Sequence, residues 1–364
     1  MIMDPQLKEL LVYAREKKAS DVHISVMATP RMRVNGRLTV MADFPMLKPD
    51  DTRRLLFSVT DGDHQETLRK QGEVDLAYGD RELGRIRLNI YRQRGSYAAA
   101  IRLMSGQAPS PEELGVPETV RELYRKKSGL VLVTGPTGSG KSTTLASLIR
   151  LINENRPCHV LTLEDPIEYT YRHDKSLIDQ REIGLDSVSF SSALRAALRE
   201  DPDVIMVGEM RDLETISTAI TAAETGHLVF SSLHTNSAAQ TIGRIIDVFP
   251  QGQKDQLRTQ LALVLETVVS QRLLPKADGS GRVACFEVMH CNTAIRSLIR
   301  ENKIYQIDGT MQNFRKDGMI TMAQALKDLE TQGVISKETY MEYAQSQPDA
   351  RQAAESSRQG GPRW

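Results

Sequence analysis

Leu130-Val-Leu-Val-Thr134, Gly135-Pro-Thr-Gly-Ser-Gly-Lys-Ser142 and a stretch running from Thr143 to Asn153 follow one another without a gap. The first is an apolar run of strand length, the second is rich in glycine, and the third repeats Leu145, Leu148, Ile149 and Ile152 at helical spacing. Strand, loop and helix in this order make a phosphate cradle. The loop Gly135, Pro136, Thr137, Gly138, Ser139, Gly140 lets backbone N–H groups turn inward, and the helix that starts behind it adds the positive end of its dipole. Lys141 can reach the β- and γ-phosphates, Ser142 can ligate Mg²⁺, and Thr143 completes the string. The expected cofactors are ATP and Mg²⁺. A chance glycine-rich turn would not carry these flanks.

Outward from this element, apolar runs at 158–163, 204–208 and 228–233 alternate with helical stretches at 143–153, 190–200, 211–225 and 237–248. That alternation predicts an α/β fold with a mainly parallel sheet. From 251 onward helices are expected to dominate, at 253–272, 292–301, 321–331 and 336–345, forming a helical C-terminal subdomain. Toward the N-terminus, Leu7, Leu10, Leu11 and Ala14 predict a helix, and Val22, Ile24 and Val26 alternate as a strand does. Asn35-Gly36 between alternating segments is a hairpin signal. Strands at 73–78, 84–92 and 96–104 and a helix near 50–60 complete a smaller α+β domain over 1–104. Gly, Pro and Ser concentrate in a linker at 105–114, the main domain covers 115–345, and 346–364 reads as a mobile tail.

Composition narrows the function further. Lys plus Arg is 47 and Asp plus Glu is 47, so the net charge is zero and no basic field draws the chain to nucleic acid. A strand-binding channel would also want stacking aromatics, yet the single tryptophan, Trp364, lies in the expected tail. Apolar runs of four residues are too short to span a bilayer, and Lys8 and the acids near the N-terminus argue against a signal peptide, so a cytoplasmic protein is expected. Cys158, Cys285 and Cys291 contain no C-x-x-C pair, which excludes a four-cysteine zinc site and favours packed thiols.

Hydrolysis needs a carboxylate that can orient or deprotonate water beside the γ-phosphate. Val204-Ile-Met-Val-Gly-Glu209 ends an apolar run in an acid, with Gly208 where a metal-binding Asp is usual. Leu161-Thr-Leu-Glu-Asp-Pro-Ile-Glu168 supplies Glu164, Asp165 and Glu168 after a different run. Glu209 and Glu164 are therefore both candidates for catalysis and, with Ser142, for the metal; each also reads as an ordinary strand-end acid. His227 and His234 flank the run 228–233. Either could hydrogen-bond the γ-phosphate or its water, and either could be merely structural.

Four strings considered together resemble one family. GPTGSGKST, LEDPIEY at 163–169, DPDVIMVGEMRD at 201–212 and TGHLVFSSLHTN at 225–236 look like the Walker A, Asp box, Walker B and His box of the secretion and type IV pilus ATPases. AIRSLIRE at 294–301 resembles the AIRNLIRE signature of the pilus-retraction members, departing only at Ser297; read without the family it is an amphipathic packing helix. The likeness runs over residues 5–345. It implies a PAS-like N-terminal domain, a RecA-like P-loop ATPase domain and a homohexamer with ATP between subunits. It also implies a pair of arginine fingers, for which Arg87 and Arg102 stand in place; in a region that also holds Arg85, Arg92 and Arg94, the two read equally as solvated strand arginines. The implied function is ATP-driven pilus retraction and twitching motility. Extension and type II secretion relatives commonly carry a longer N-terminal region and a four-cysteine zinc motif; an accessory retraction ATPase is the nearer alternative. The implied partners are an inner-membrane pilus platform protein, at which the motor would sit peripherally, and a paralogous retraction ATPase.

Overall fold

A computed structural model describes residues 2–344 except 35, 81 and 105. The expected tail, Trp364 and Asn35 of the hairpin signal lie outside the described residues. The chain divides into two compact units, one running to Gln107 and including Glu168–Thr170, the other comprising the rest from Ala108 onward.

In the first unit, α1 (Pro5–Glu16) starts where Asp4 accepts a hydrogen bond from the Gln6 N–H and Pro5 occupies the first turn. Its stripe of Leu7, Leu10, Leu11 and Ala14 is buried. Strands β1 (Asp21–Ile24), β2 (Arg31–Val34), β3 (Arg37–Val40), β4 (Glu73–Asp80), β5 (Gly84–Gln93) and β6 (Ser96–Leu103) form an antiparallel sheet in the order β3-β2-β1-β6-β5-β4. Val34 pairs with Arg37 across β2 and β3, and Gly36 has φ +79°. Between β3 and β4 lie α2 (Pro49–Phe57) and α3 (Gly62–Gln71), the latter not foreseen from the sequence. Ile86, Leu88 and Ile90 alternate inward along β5 and share a core with α1 and α2. Arg87 and Arg102, by contrast, alternate away from that core.

The second unit opens with the short α4 (Glu118–Arg121), followed by β7 (Gly129–Thr134), α5 (Lys141–Asn155), β8 (His159–Glu164), β9 (Leu177–Glu182) and α6 (Phe190–Ala197). It continues through β10 (Val204–Val207), α7 (Leu213–Glu224), β11 (Leu228–Leu233), α8 (Ala238–Asp247), α9 (Lys254–Val264), β12 (Leu265–Pro275) and β13 (Arg282–His290). Helices α10 (Thr293–Arg300), α11 (Ile307–Asn313), α12 (Met322–Thr331) and α13 (Lys337–Ala344) complete it. The sheet order is β13-β12-β7-β11-β10-β8-β9, parallel throughout except for β13, which runs antiparallel to β12. Both faces are covered, which is why β7, β10 and β11 are buried at every position. Leu130, Leu132, Ile205 and Val207 face one core, shared with α6 to α11, while Val131, Val133, Val204 and Met206 face a second core shared with α5. Among the described residues no helix is long and apolar enough to cross a membrane.

The α/β expectation holds, and two parts of it need correction. The helix expected over 253–272 ends at Val264, and the chain passes directly into β12. Thr267, Val268 and Val269 are β-branched, and the place beside β7 offers them a buried strand position that overrides the helical spacing of the preceding leucines. The C-terminal part is not mainly helical until residue 293, because β12 and β13 belong to the sheet. At the β12 bulge near Glu266, that side chain bonds Lys126 at 2.8 Å and Arg296 at 2.8 Å. Arg296 also donates to the carbonyls of Ala262 and Leu263 at the end of α9. The AIRSLIRE helix α10 therefore clamps the α9–β12 junction through its first arginine, while Ile295 and Ile299 are buried and Arg300 is exposed.

Candidate nucleotide site

The loop between β7 and α5 is built around glycines at positive φ. Gly135 has φ +146°, and a Cβ there would stand 2.3 Å from the Gln271 carbonyl oxygen of β12 and 2.6 Å from Ser139 Oγ. Gly140 has φ +90°, and a Cβ there would meet Gln271 Nε2 at 2.9 Å. Gln271 is itself buried and accepts a 2.7 Å hydrogen bond from Thr144 in the first turn of α5. The neighbouring strand thus moulds the loop at both ends. Thr134, the last residue of β7, shares a 2.9 Å hydroxyl hydrogen bond with Ser270. Pro136, Thr137, Gly138 and Ser142 are exposed and Thr143 is half-buried. Ser139 Oγ is buried without a hydrogen-bond partner, a donor the protein itself does not use.

Lys141, the first residue of α5, is buried, and its ammonium donates to the carbonyls of Gly135 at 3.0 Å and Pro136 at 3.2 Å. His234 Nδ1 lies 3.5 Å from the same ammonium, and His234 Nε2 lies 3.3 Å from Glu209 Oε2. A neutral imidazole protonated on Nε2 satisfies both contacts, accepting from the lysine and donating to the carboxylate. Glu209 Oε2 also pairs with Arg211 Nε at 2.7 Å. Parallel pairing explains the convergence. Strand β11 lies beside β7 with Leu233 opposite Thr134, so His234 emerges next to the loop, and β10 lies beside β11, bringing Glu209 to the same edge.

The same register removes His227 from this group. It precedes β11 and lies a full six-residue strand, about 20 Å, from the loop end. Its Nδ1 is 2.9 Å from the Ala222 carbonyl, a contact that steadies the end of α7. Glu164 ends β8, beside β10 and on the edge that carries Glu209, while β10 and β11 stand between β8 and β7, an offset of about 14 Å from the loop strand at ordinary strand spacing. It is buried, and Oε1 accepts from Thr162 Oγ1 at 2.7 Å and Gln180 Nε2 at 3.1 Å. Asp165 and Glu168 are exposed. Gly208 has its own explanation: its N–H donates to the Leu163 carbonyl at 2.8 Å, and a Cβ would stand 3.2 Å from that oxygen. A side chain at this position would crowd β8.

In the other unit, Arg87 and Arg102 are directly opposed across β5 and β6. Arg102 is further opposed to Asp21, which in turn faces Arg33, so the four form one lateral row. Arg102 Nε bonds Asp21 Oδ1 at 3.1 Å, and most of the Arg102 side chain is exposed. Sequence reading missed Arg211, Gln271 and Ser270. Arg211 was in view two residues beyond Glu209, whereas Gln271 and Ser270 were hidden inside a segment read as helix.

No group of three or more His, Cys, Asp or Glu that could hold a metal ion occurs among the described residues. Mg²⁺ ordinarily keeps several waters and takes one or two protein ligands with substrate phosphates. The exposed Ser142 hydroxyl at the start of α5, with Glu209 on the adjoining edge, fits that donor set. Cys285 and Cys291 are free and buried, and burial pushes both thiols up to about 12.

The fold and this arrangement put the chain among α/β proteins built around a phosphate-binding loop. It belongs to the Type II/IV secretion system protein family, whose family model matches residues 2–361. It is 47% identical over 319 residues to the twitching motility protein of Neisseria gonorrhoeae, covering 87% of this chain and 85% of that one. It is 43% identical over 338 residues to the type IV pilus retractation ATPase PilT of Pseudomonas aeruginosa, covering 93% and 98%. The crystal structure of the pilus retraction motor PilT with bound ADP matches with a TM-score of 0.87 and 51% identity, over 94% of this chain and 97% of that one.

Proposed function

We propose that the chain is an ATP-hydrolysing motor that drives type IV pilus retraction, and so twitching motility. The observation that carries this reading is the convergence of Lys141, His234 and Glu209 at one loop, in a chain that matches an ADP-bound retraction motor over nearly its whole length. Lys141 holds the β- and γ-phosphates, with loop N–H groups between Thr137 and Gly140 around them. Glu209 orients and deprotonates the attacking water, and His234, between acid and lysine, senses the γ-phosphate. Bound through Ser142, the phosphates and Glu209, Mg²⁺ would neutralise charge on the β- and γ-oxygens. Glu164, secured by Thr162 and Gln180 on the strand beside the one that carries Glu209, acts as an auxiliary acid on the far side of Glu209.

The second unit we read as RecA-like and the first as PAS-like, with six copies forming a ring. Arg87 and Arg102, opposed on one sheet face, serve as arginine fingers for the developing phosphoryl charge. The motor is cytoplasmic and works peripherally at the inner membrane on a pilus platform protein, alongside a paralogous retraction ATPase. Accessory retraction, pilus extension and type II secretion are the rival functions, and one experiment separates retraction from assembly. Cells of the source organism lacking this gene should carry surplus pili and lose twitching, as seen by electron microscopy and subsurface motility. Bald cells would overturn the retraction reading in favour of assembly.

A further inference from the structure

Glu287 is 3% exposed, and the hydrolysis described above does not use it. It stands on β13 opposite Ser270 of β12. Its Oε1 accepts a hydrogen bond from the Ala238 N–H at 2.7 Å, and its Oε2 accepts one from the Met322 N–H at 3.0 Å. Those are the first residues of α8 and α12, each ten residues long and each also capped by a side chain, Ser237 and Thr321 respectively. One buried carboxylate therefore closes the N-termini of two helices that are 84 residues apart in the chain. Ser270 faces Glu287 across the two strands and shares a hydroxyl hydrogen bond with Thr134, the residue before the phosphate loop. Three residues of chain separate His234 from Ala238.

Burial is the largest influence on this carboxyl and pushes it up to about 7, while the Ala238 and Met322 amides act in the opposite direction. An apolar residue of similar size would avoid that desolvation cost but would leave the Ala238 and Met322 N–H groups without an acceptor.

We propose that Glu287 is a positioning residue that holds His234 against Lys141 and Glu209 by anchoring the start of α8 to the sheet, and that its second oxygen ties the same anchor to α12. Displacement of the C-terminal helices is thereby felt at the histidine. The proposal rests on the reading that the chain hydrolyses ATP at Lys141.

The test is a double-mutant cycle on the full chain, measuring kcat and nucleotide affinity for Glu287→Gln, His234→Ala and the pair. Glutamine has one carbonyl oxygen, so its amide NH₂ must meet one of the two N–H donors. Glu287→Gln should lower kcat about tenfold, the size of losing one hydrogen bond to a charged group, with nucleotide affinity unchanged. Combined with His234→Ala it should cost nothing further, because the anchored group is already gone. Losses that multiply in the double variant, or a wild-type kcat in Glu287→Gln, would overturn the proposal while leaving the ATPase reading intact. Absence of hydrolysis by the unaltered chain would overturn both. Should Glu287→Gln lose cooperative unfolding, Ala238→Pro deletes only the N–H, since proline is tolerated at the first helical position and Ser237 is already extended at φ −151°, ψ 163°. The same two outcomes decide it.

Discussion

Glu209 keeps only 17% of its side chain exposed and divides Oε2 between His234 and Arg211. Glu209→Gln preserves the shape and removes the base. Its kcat should fall at least about a hundredfold while a fluorescent nucleotide binds as before, and ordinary turnover would sink the assigned role. Lys141→Ala should instead abolish turnover by weakening phosphate binding. Glu287 gives a pH signature of its own. Its folded-state pKa of about 7 lies above the ordinary 4.5, so the stability it contributes is fully present below 4.5 and is lost as pH rises through 7. Unfolding midpoints of wild type minus Glu287→Gln should therefore fall steadily between pH 5 and 8. These residues were unequally legible. Lys141 opens α5 behind the loop, and Glu209 and His234 follow loop-side strand ends, all three in recognisable strings. His227 sits at the opposite end of the same strand, a distinction that follows once β7 and β11 are known to be parallel.

Among the elements, α10 now has a physical task. Arg296 caps α9 and holds Glu266, which holds Lys126 just before β7. Arg296→Ala should cost about 1–2 kcal/mol, read as a lowered urea midpoint, whereas exposed Arg300→Ala should leave stability unchanged. If both behave alike, the clamp is not what α10 provides. Periodicity found β7, β10 and β11 because both faces of each are buried, and α5 to α8 because each carries one apolar stripe. It failed at β9, where Leu177-Ile-Asp-Gln-Arg-Glu182 lies at the sheet edge and reads as polar chain, and at the α9–β12 junction. There no glycine or proline marks the change from helix to strand, so only the vacant side of β7 decides it.

For the whole molecule, the reading as a ring makes two linked predictions. Light scattering with nucleotide should give a mass six times 40.7 kDa, and a monomer with full ATPase activity would overturn the assembly. Arg102→Ala should lower kcat far more than nucleotide affinity, because a finger acts on charge that develops during transfer. An unchanged rate would reduce the Arg87–Arg102 row to a solvated sheet face. Neither quantity could be read from periodicity, which reports neighbours within one chain. The α/β character was legible; the sheet order that sets β10 and β11 between Glu164 and the loop strand was not.

The contact between Gln271 and the loop glycines also bears on how such a motor can diverge. A methyl group at Gly135 would have to displace the β12 backbone, and one at Gly140 the Gln271 side chain. Loop and strand are consequently one heritable unit. Drift in the nucleotide pocket is channelled toward the exposed positions 136 and 137, since Gly138 is held at φ +78°, and in a saturation library tolerance at 135 and 140 should appear only on backgrounds that also remodel β12.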